Sequence, residues 1–257
     1  MEVRTSIRSH SSKPKNGKRV RKAASNKPIQ NIILLQIPDT EFQELEPHLE
    51  FVELNLAVCL EQGGGRVEGV YFLNSGVGSL LIETSDGRSV EVGLVGHEDM
   101  IGLPVAAGLD EFTCTVIMQV PGDGFRMRAN IFQQLLPRVP ELRRLLLRRL
   151  AIRSIELAQN AACNRLHNVR QRLARWLLLT HDRLDSDLIR TTQDFLSRMV
   201  GTDRPTVTMA IAAFEREGII RPSRGAILIE DRRQLERCSC ECYGLFQHFN
   251  AEVGLTK

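Results

Sequence analysis

The stretch 191–211 carries polar and basic residues at a spacing suited to contacts with nucleic acid. Thr192, followed by Gln193, starts a short predicted helix with apolar residues on one face, and a glycine follows that helix at once. Thr202 or Asp203 can cap a second helix, which has Arg204 at its exposed start. Two short helices joined by a tight glycine turn are typical of a helix-turn-helix, whose second helix enters the major groove of DNA.

Arginine at the start of such a helix can pair with two acceptors of guanine, which is worth about 1–3 kcal/mol of base discrimination. We therefore expect Arg204 to contact a base; the alternative is a solvated residue or an ion pair with Asp203. The segment 219–229 predicts a strand, a turn and a strand, which form a wing beside the two helices. The residues predicted to contact DNA are Thr192, Gln193, Asp203, Arg204, Pro205, Thr206, Thr208, Met209, Ser223 and Arg224.

Three thiols lie close together at Cys238, Cys240 and Cys242. They could hold a metal or act as a redox switch, and His248 is the nearest candidate for a fourth zinc ligand. The alternative is that they are small apolar packing groups, since Cys-x-Cys is not the usual spacing of a zinc knuckle. We predict no metal and no cofactor, and we keep a redox- or metal-responsive sensor that switches through these cysteines as the alternative function.

Motifs of common enzyme classes are absent from the sequence. It has no Gly-Lys-Ser/Thr phosphate loop, no Gly-x-Ser-x-Gly elbow and no His-Glu-x-x-His zinc motif. We therefore predict no catalytic residues and no enzyme activity.

Composition indicates a globular protein of one large or two ordinary domains, with 257 residues, 42% of them hydrophobic and 25% charged. No apolar run approaches the roughly 18 residues of a membrane helix, and the six cysteines, of which the first three are scattered, are not a secreted disulfide framework. A cytoplasmic location is predicted.

The net charge of +3 hides a basic segment, because residues 1–28 contain nine Lys/Arg and one acidic residue. This segment is predicted to be disordered, either as an arm that contacts DNA phosphate or as a solvated tail.

The rest of the chain divides into two parts with different hydrophobic patterns. Short apolar runs broken by turn residues, with a hairpin signal at Asp86-Gly87, predict an all-β roll. From Pro140 to Leu166 the apolar residues follow a helical period, and Arg149 and Arg153 are placed on the polar sides of that helix. A helix of this length, about 40 Å, indicates a dimerisation helix, with packing on its own β-roll as the alternative.

In these motifs the sequence resembles the Crp/Fnr superfamily of bacterial transcription factors. The resemblance rests on segments 76–80, 86–93 and 164–176 and on the helix-turn-helix. It implies a homodimer that binds a palindromic site in double-stranded DNA, with RNA polymerase as a partner if the protein is an activator. The fold class is then α+β: a cyclic-nucleotide-binding-like β-roll, a long dimerisation helix and a C-terminal winged helix-turn-helix. The predicted divisions are a disordered basic tail at 1–28, the β-roll sensor domain at 29–138, the dimerisation helix at 139–166, the DNA-binding domain at 167–246 and a C-terminal tail at 247–257.

The sequence departs from the family pattern for cyclic AMP. Members that bind this ligand carry Gly-Glu and, about ten residues later, Arg-Ser, whereas here Leu103 follows Gly102 and the later pair is Thr113-Cys114. A buried cyclic phosphate would then lack its charge partner. We expect another effector, or none, in a pocket formed by Gly102, Leu103, Thr113, Cys114, Leu157 and Ala158. The cysteines of iron–sulfur members are absent from residues 1–58, and His97 and His167 are interpreted as structural residues rather than haem ligands.

Overall fold

The computed structural model of the chain describes residues 21–184 and 186–252. Its helices are α1 Ile32–Gln36, α2 Asp39–Leu45, α3 Ala129–Leu135, α4 Pro140–Leu166, α5 Val169–His181, α6 Gln193–Val200, α7 Arg204–Arg216, α8 Arg232–Cys238 and α9 Cys242–Glu252. Its strands are β1 Glu50–Leu54, β2 Cys59–Glu61, β3 Gly65–Arg66, β4 Gly69–Leu73, β5 Val77–Glu83, β6 Ser89–Val95, β7 Met100–Ile101, β8 Glu111–Phe112, β9 Thr115–Val120, β10 Gly122–Arg128, β11 Leu188–Arg190, β12 Ile220–Ser223 and β13 Ala226–Ile229.

The strands up to β10 form the predicted β-roll. One antiparallel sheet has the order β1-β10-β4-β7, and the other has the order β2-β9-β5-β6. The hairpin predicted at Asp86-Gly87 joins β5 to β6, whose register pairs Glu83 with Ser89. The buried side chains Val70, Phe72 and Phe125 place the main core between the first sheet and the helices α1 to α4. The fold class predicted from the sequence, α+β with a long helix between a β-roll and a winged helix-turn-helix, is confirmed.

The long helix α4 has the predicted bounds, but two of its arginines are placed differently from the prediction. Arg149 is 1% exposed and Arg153 is buried. Arg149 Nε lies 2.8 Å from Oδ2 of the buried Asp99, its Nη2 lies 2.8 Å from Glu156, and Arg153 also contacts Asp99. Burial alone would raise the pKa of Asp99, but the adjacent guanidinium groups lower it below its ordinary value. The prediction was wrong because helical period alone cannot show that an acid on another element neutralises an arginine.

Residues 21–28 are also structured, which corrects the predicted bounds of the disordered tail. The Arg21 guanidinium is buried, lies 4.5 Å from the Phe42 ring centroid, donates to Ile37 O at 3.0 Å and pairs with Asp39 at 2.6 Å. It thereby satisfies a carbonyl just beyond the end of α1, a role that composition cannot reveal. Residues 1–20 of the predicted tail lie outside the described residues.

At the other end, the predicted start of the C-terminal tail at residue 247 falls inside α9. The helix continues because Phe246 is buried and Gln247 donates to the Tyr243 hydroxyl at 3.1 Å. Residues 253–257 lie outside the described residues. No helix in the described part of the chain combines the length and hydropathy that crossing a bilayer requires.

The C-terminal elements pack against the second sheet of the β-roll. Trp176 of α5 donates its indole N–H to Glu91 of β6 at 3.0 Å, and Gln119 of β9 donates to Thr180 of α5 at 3.4 Å. Burial raises the pKa of Glu91 to about 8, against the opposing effects of a nearby Ser79 hydroxyl and of arginine charges. Part of the contact between the two halves of the molecule is therefore a buried carboxyl group.

Candidate nucleic-acid interface

The helix-turn-helix is formed by α6 and α7, each begun by a side-chain cap. Thr192 Oγ1 accepts from Phe195 N at 3.2 Å, and Asp203 Oδ1 accepts from Thr206 N at 2.8 Å. This last hydrogen bond lowers the pKa of Asp203, so its carboxylate stays ionised at the start of α7. Gly201 ends α6 with φ of 65°, a left-handed conformation that costs glycine little and lets the chain turn at once into the next helix.

Opposite faces of α7 meet the core and the solvent. Val207, Ile211 and Phe214 are buried against α5, α6 and the wing strands. On the other side Arg204 has a side chain that is 63% exposed, and Met209 is 66% exposed. A large apolar residue held in solvent beside an arginine marks this face as a surface for contact with another molecule.

Contacts between α6 and α7 hold the exposed side chains in place. Arg204 Nε lies 3.3 Å from Oδ1 of Asp194, a partner in α6 that the sequence prediction had not identified. The Thr208 hydroxyl lies 2.7 Å from Gln193 Oε1 and 2.9 Å from Arg204 O. Since the Arg204–Asp194 pair is solvent-exposed, it is worth no more than about 1 kcal/mol and can be exchanged for a nucleic-acid contact.

The predicted wing is formed by β12 and β13, which join β11 in one antiparallel sheet. Arg224 is exposed in the turn between them, and Arg221 pairs with Glu230 at the base of the wing. A cleft of about 230 Å³ separates the wing from the starts of α6 and α7. Of the residues predicted to contact DNA, the cleft brings together Thr192, Gln193, Arg204 and Ser223. The remaining six, which lie outside its lining, are on the first turns of α7 or at the wing tip: Asp203, Pro205, Thr206, Thr208, Met209 and Arg224.

A second site, the predicted effector pocket, lies inside the β-roll under α4. The cavity has a volume of about 350 Å³, and its exposed lining is mostly apolar. Gly102 turns the chain at its edge with φ of 81°. Of the residues proposed for an effector pocket, five are in its lining: Gly102, Leu103, Thr113, Cys114 and Leu157. Ala158 is not; it is exposed one residue further along α4, because a step of 100° along a helix turns its side chain away.

The charges around this cavity do not suit a phosphate. Arg153 is its charged lining residue, and it already contacts Asp99 and donates to Leu94 O at 2.9 Å. Burial raises the pKa of the Cys114 thiol, so this side chain stays neutral. The sequence prediction missed Glu61, since nothing in its local pattern marks it as buried. Burial raises its pKa to about 7, and neither carboxyl oxygen has a hydrogen-bond partner within the described residues.

The three C-terminal cysteines do not form one group. Cys240 and Cys242 are buried beside Cys163 and His167 from the end of α4. Cys238 lies apart, with its Sγ 3.4 Å from a guanidinium nitrogen of Arg170. His248, proposed from the sequence as a fourth ligand, instead packs edge-on against Phe249 at 5.5 Å. Local sequence does not identify these partners, because the segments that meet here are about 75 residues apart.

Comparison with known proteins agrees with this architecture. Residues 171–238 match the Crp-like helix-turn-helix domain family. The CRP-like cAMP-activated global transcriptional regulator of Mycobacterium tuberculosis is 29% identical over 180 residues, which cover 65% of this chain and 78% of that protein.

Two solved structures show the same fold. FixK2 from Bradyrhizobium japonicum has a TM-score of 0.65 at 15% identity, covering 75% of this chain and 98% of that one. The c-di-GMP responsive global regulator CLP from Xanthomonas campestris has a TM-score of 0.61 at 16% identity, covering 75% of this chain and 99% of that one.

A cyclic-nucleotide-binding fold joined by a long helix to a winged helix-turn-helix defines a class of DNA-binding transcription regulators. The resemblance stated from the sequence is confirmed: residues 171–238 match the Crp-like helix-turn-helix domain family, and the chain is similar to Crp/Fnr-type transcription regulators. Regulators of this family are not enzymes.

Proposed function

We propose that the protein binds palindromic DNA as a homodimer, reads its sequence with α7, and responds to an effector other than cyclic AMP. The observation that carries the proposal is the exposure of Arg204 and Met209 on a helix whose opposite face is buried in the core. A helix presented in this way can enter the major groove without unfolding its own domain.

Each exposed group has a role that follows from its chemistry. Arg204 pairs with guanine, and Thr208 and Met209 contact neighbouring base edges or methyl groups. Asp203 caps the first turn of α7 through Thr206 N, so Asp203 and Pro205 fix the start of this helix against the DNA, and the Thr206 hydroxyl is available to a phosphate. Phosphate contacts that set the orientation come from Thr192, Gln193, Ser223 and Arg224.

Dimerisation is supported by an exposed apolar stripe along α4. Leu147 and Ile155 are both 42% exposed, and Ala151 and Ala158 between and beyond them are also exposed. The spacing of four, four and three residues puts these side chains on one face of the helix. Small alanines allow a second copy of α4 to approach closely, so this face fits a parallel helix pair and gives Ala158 its role at the subunit contact.

For the effector, the apolar cavity lined by Leu103 and Cys114 argues for a small, largely apolar ligand or for none. The relative from Mycobacterium tuberculosis is cAMP-activated, but in this chain the cavity offers a cyclic phosphate only Arg153, which is already paired. Isothermal titration with cyclic AMP is expected to give no binding heat at micromolar concentration. Saturable heat with one ligand per protomer would overturn this part of the proposal.

The DNA-binding proposal is tested by selection from a fragmented genome. Bound fragments should share a motif with two inverted half-sites about one helical turn apart, and light scattering should give two protomers per DNA duplex. Direct repeats, or a single protomer per site, would contradict the homodimer.

We further propose that the domain divisions predicted from the sequence, with the corrected ends given above, are functional units. We also propose that the protein acts in the cytoplasm, where bacterial DNA and RNA polymerase are accessible.

A further inference from the structure

We propose that Cys163, His167, Cys240 and Cys242 form a binding site for a single zinc ion. Their ligand atoms, three Sγ and one imidazole nitrogen, all lie within 4.8 Å of one another. Three thiolates and one imidazole are a common ligand set of structural zinc in proteins.

The distances fit a tetrahedron around one ion. With Zn–S of about 2.3 Å and Zn–N of about 2.0–2.1 Å, tetrahedral geometry separates two sulfurs by about 3.8 Å and a sulfur from a nitrogen by about 3.6 Å. Cys163 Sγ and Cys240 Sγ are 3.5 Å apart, and Cys242 Sγ is 3.6 Å from His167 Nδ1. A cluster with several iron atoms spreads its ligands over different metals and needs wider separations, so the site suits a single ion.

The groups around the four ligands support the same assignment. Histidine ligands of zinc usually donate their second ring N–H to a carboxylate, and His167 Nε2 lies 3.2 Å from Glu241 Oε1. Gln159 Nε2 donates to Cys242 Sγ at 3.0 Å, which stabilises a thiolate.

Charge balance around the site is also favourable. Zinc with three thiolates and a neutral imidazole carries a net charge of −1, and the thiol protons leave to solvent on binding. The buried side chains of Arg172 and Arg175 both interact electrostatically with Cys163 and can balance that charge.

Position in the fold gives the site a function. Cys163 is on the last turn of α4, and His167 is the first of the two residues between α4 and α5, where the long helix meets the DNA-binding domain. Cys242 is the first residue of α9, and Cys240 lies two residues before it. One ion would therefore link α9 to the junction of α4 and α5, the hinge, and this clip would restrict how α5 to α7 are oriented. The regulatory part of this inference rests on the DNA-binding function proposed above, whereas the metal site does not.

The first experiment measures metal in the full chain purified under reducing conditions. Inductively coupled plasma mass spectrometry should find one zinc per protomer, and Co²⁺ in its place should give the intense visible absorption of a tetrahedral thiolate site. Cys242→Ser and His167→Ala should lose the bound metal, whereas Cys238→Ser, two residues before Cys240, should keep it. A reduced wild-type chain that takes up neither zinc nor cobalt, an octahedral cobalt spectrum, or a Cys163–Cys240 disulfide in place of metal would overturn the site.

A second experiment tests the clip on wild-type protein and does not depend on the folding of any variant. With free zinc about 100-fold above its dissociation constant, opening of the hinge and α9 should be about 100-fold rarer than in chelator-treated protein, measured by amide hydrogen exchange. Equal exchange in both samples would refute the clip. DNA binding is measured on the same samples: zinc uptake without DNA binding removes the proposed function alone, and DNA binding without zinc uptake removes the metal site alone.

Discussion

Replacing Arg204 by alanine removes the side chain that we assign to a guanine, and its effect can be estimated from the contacts of the free protein. The only ion pair that Arg204 makes within the described residues is with Asp194, at 3.3 Å and with both side chains exposed. Breaking such a pair costs no more than about 1 kcal/mol. A bidentate guanine contact is worth about 1–3 kcal/mol, so Arg204→Ala should lower affinity about 5- to 150-fold for each half-site occupied.

Fluorescence anisotropy with selected operator DNA measures this effect. The wild type should discriminate against a changed base pair at one position of each half-site, and Arg204→Ala should lose that discrimination while keeping its preferences elsewhere. The matched control is Asp194→Asn, which releases the arginine from its partner and should bind as well as the wild type or better. Arg216→Ala, at the far end of α7, should leave the base preference unchanged.

The reasoning is refuted by a particular pattern of results. If Arg204→Ala weakens binding equally on all sequences and reduces the salt slope by about one per protomer, the side chain contacts phosphate and not a base. Unchanged binding on every sequence would place the reading surface elsewhere.

Three further predictions test the packing that supports this surface. Arg149→Ala should lower the free energy of unfolding by about 3–5 kcal/mol, because it leaves the buried carboxylates of Asp99 and Glu156 to share Arg153. Arg144→Ala breaks only an exposed pair and should cost less than about 1 kcal/mol in the same urea titration; similar costs would contradict the buried network. Glu91 has a pKa raised from 4.5 to about 8 in the folded protein, so its contribution to stability is complete below pH 4.5 and is lost as the pH rises through about 8. The melting temperature of the wild type should therefore fall between pH 5 and pH 9, and Glu91→Gln should make this fall smaller. Ile155→Glu should turn the dimer into a monomer in light scattering, whereas Leu56→Glu, an equally drastic change at a 62% exposed residue outside α4, should not.

The four ligands of the proposed zinc site and the contact between Trp176 and Glu91 connect the DNA-binding elements to the rest of the chain. Both lie where the DNA-binding elements meet other parts of the molecule, one at the hinge and one at the second sheet. A change of charge or of ligation at either place alters a contact between the two halves of the molecule rather than the reading surface.

The sequence was sufficient to place the elements whose signals are local. The bounds of α4, the glycine turn between α6 and α7, a cap at Thr202 or Asp203 and the hairpin at Asp86-Gly87 were all expected from residues within a few positions of each other. Caps, turns and periodicity depend on neighbouring backbone groups, so a single sequence carries that information.

Features that depend on distant segments were decided by the tertiary structure. Arg149 is buried because Asp99 and Glu156 meet it there, and Arg21 is buried because two helix ends supply acceptors. Cys240 belongs with Cys163, 77 residues away, and not with Cys238 two residues before it. The local sequence pattern predicted a different environment for each of these side chains. The cost of burying a charge or a thiol depends on the groups that the fold brings beside it, and those groups have no fixed distance along the chain.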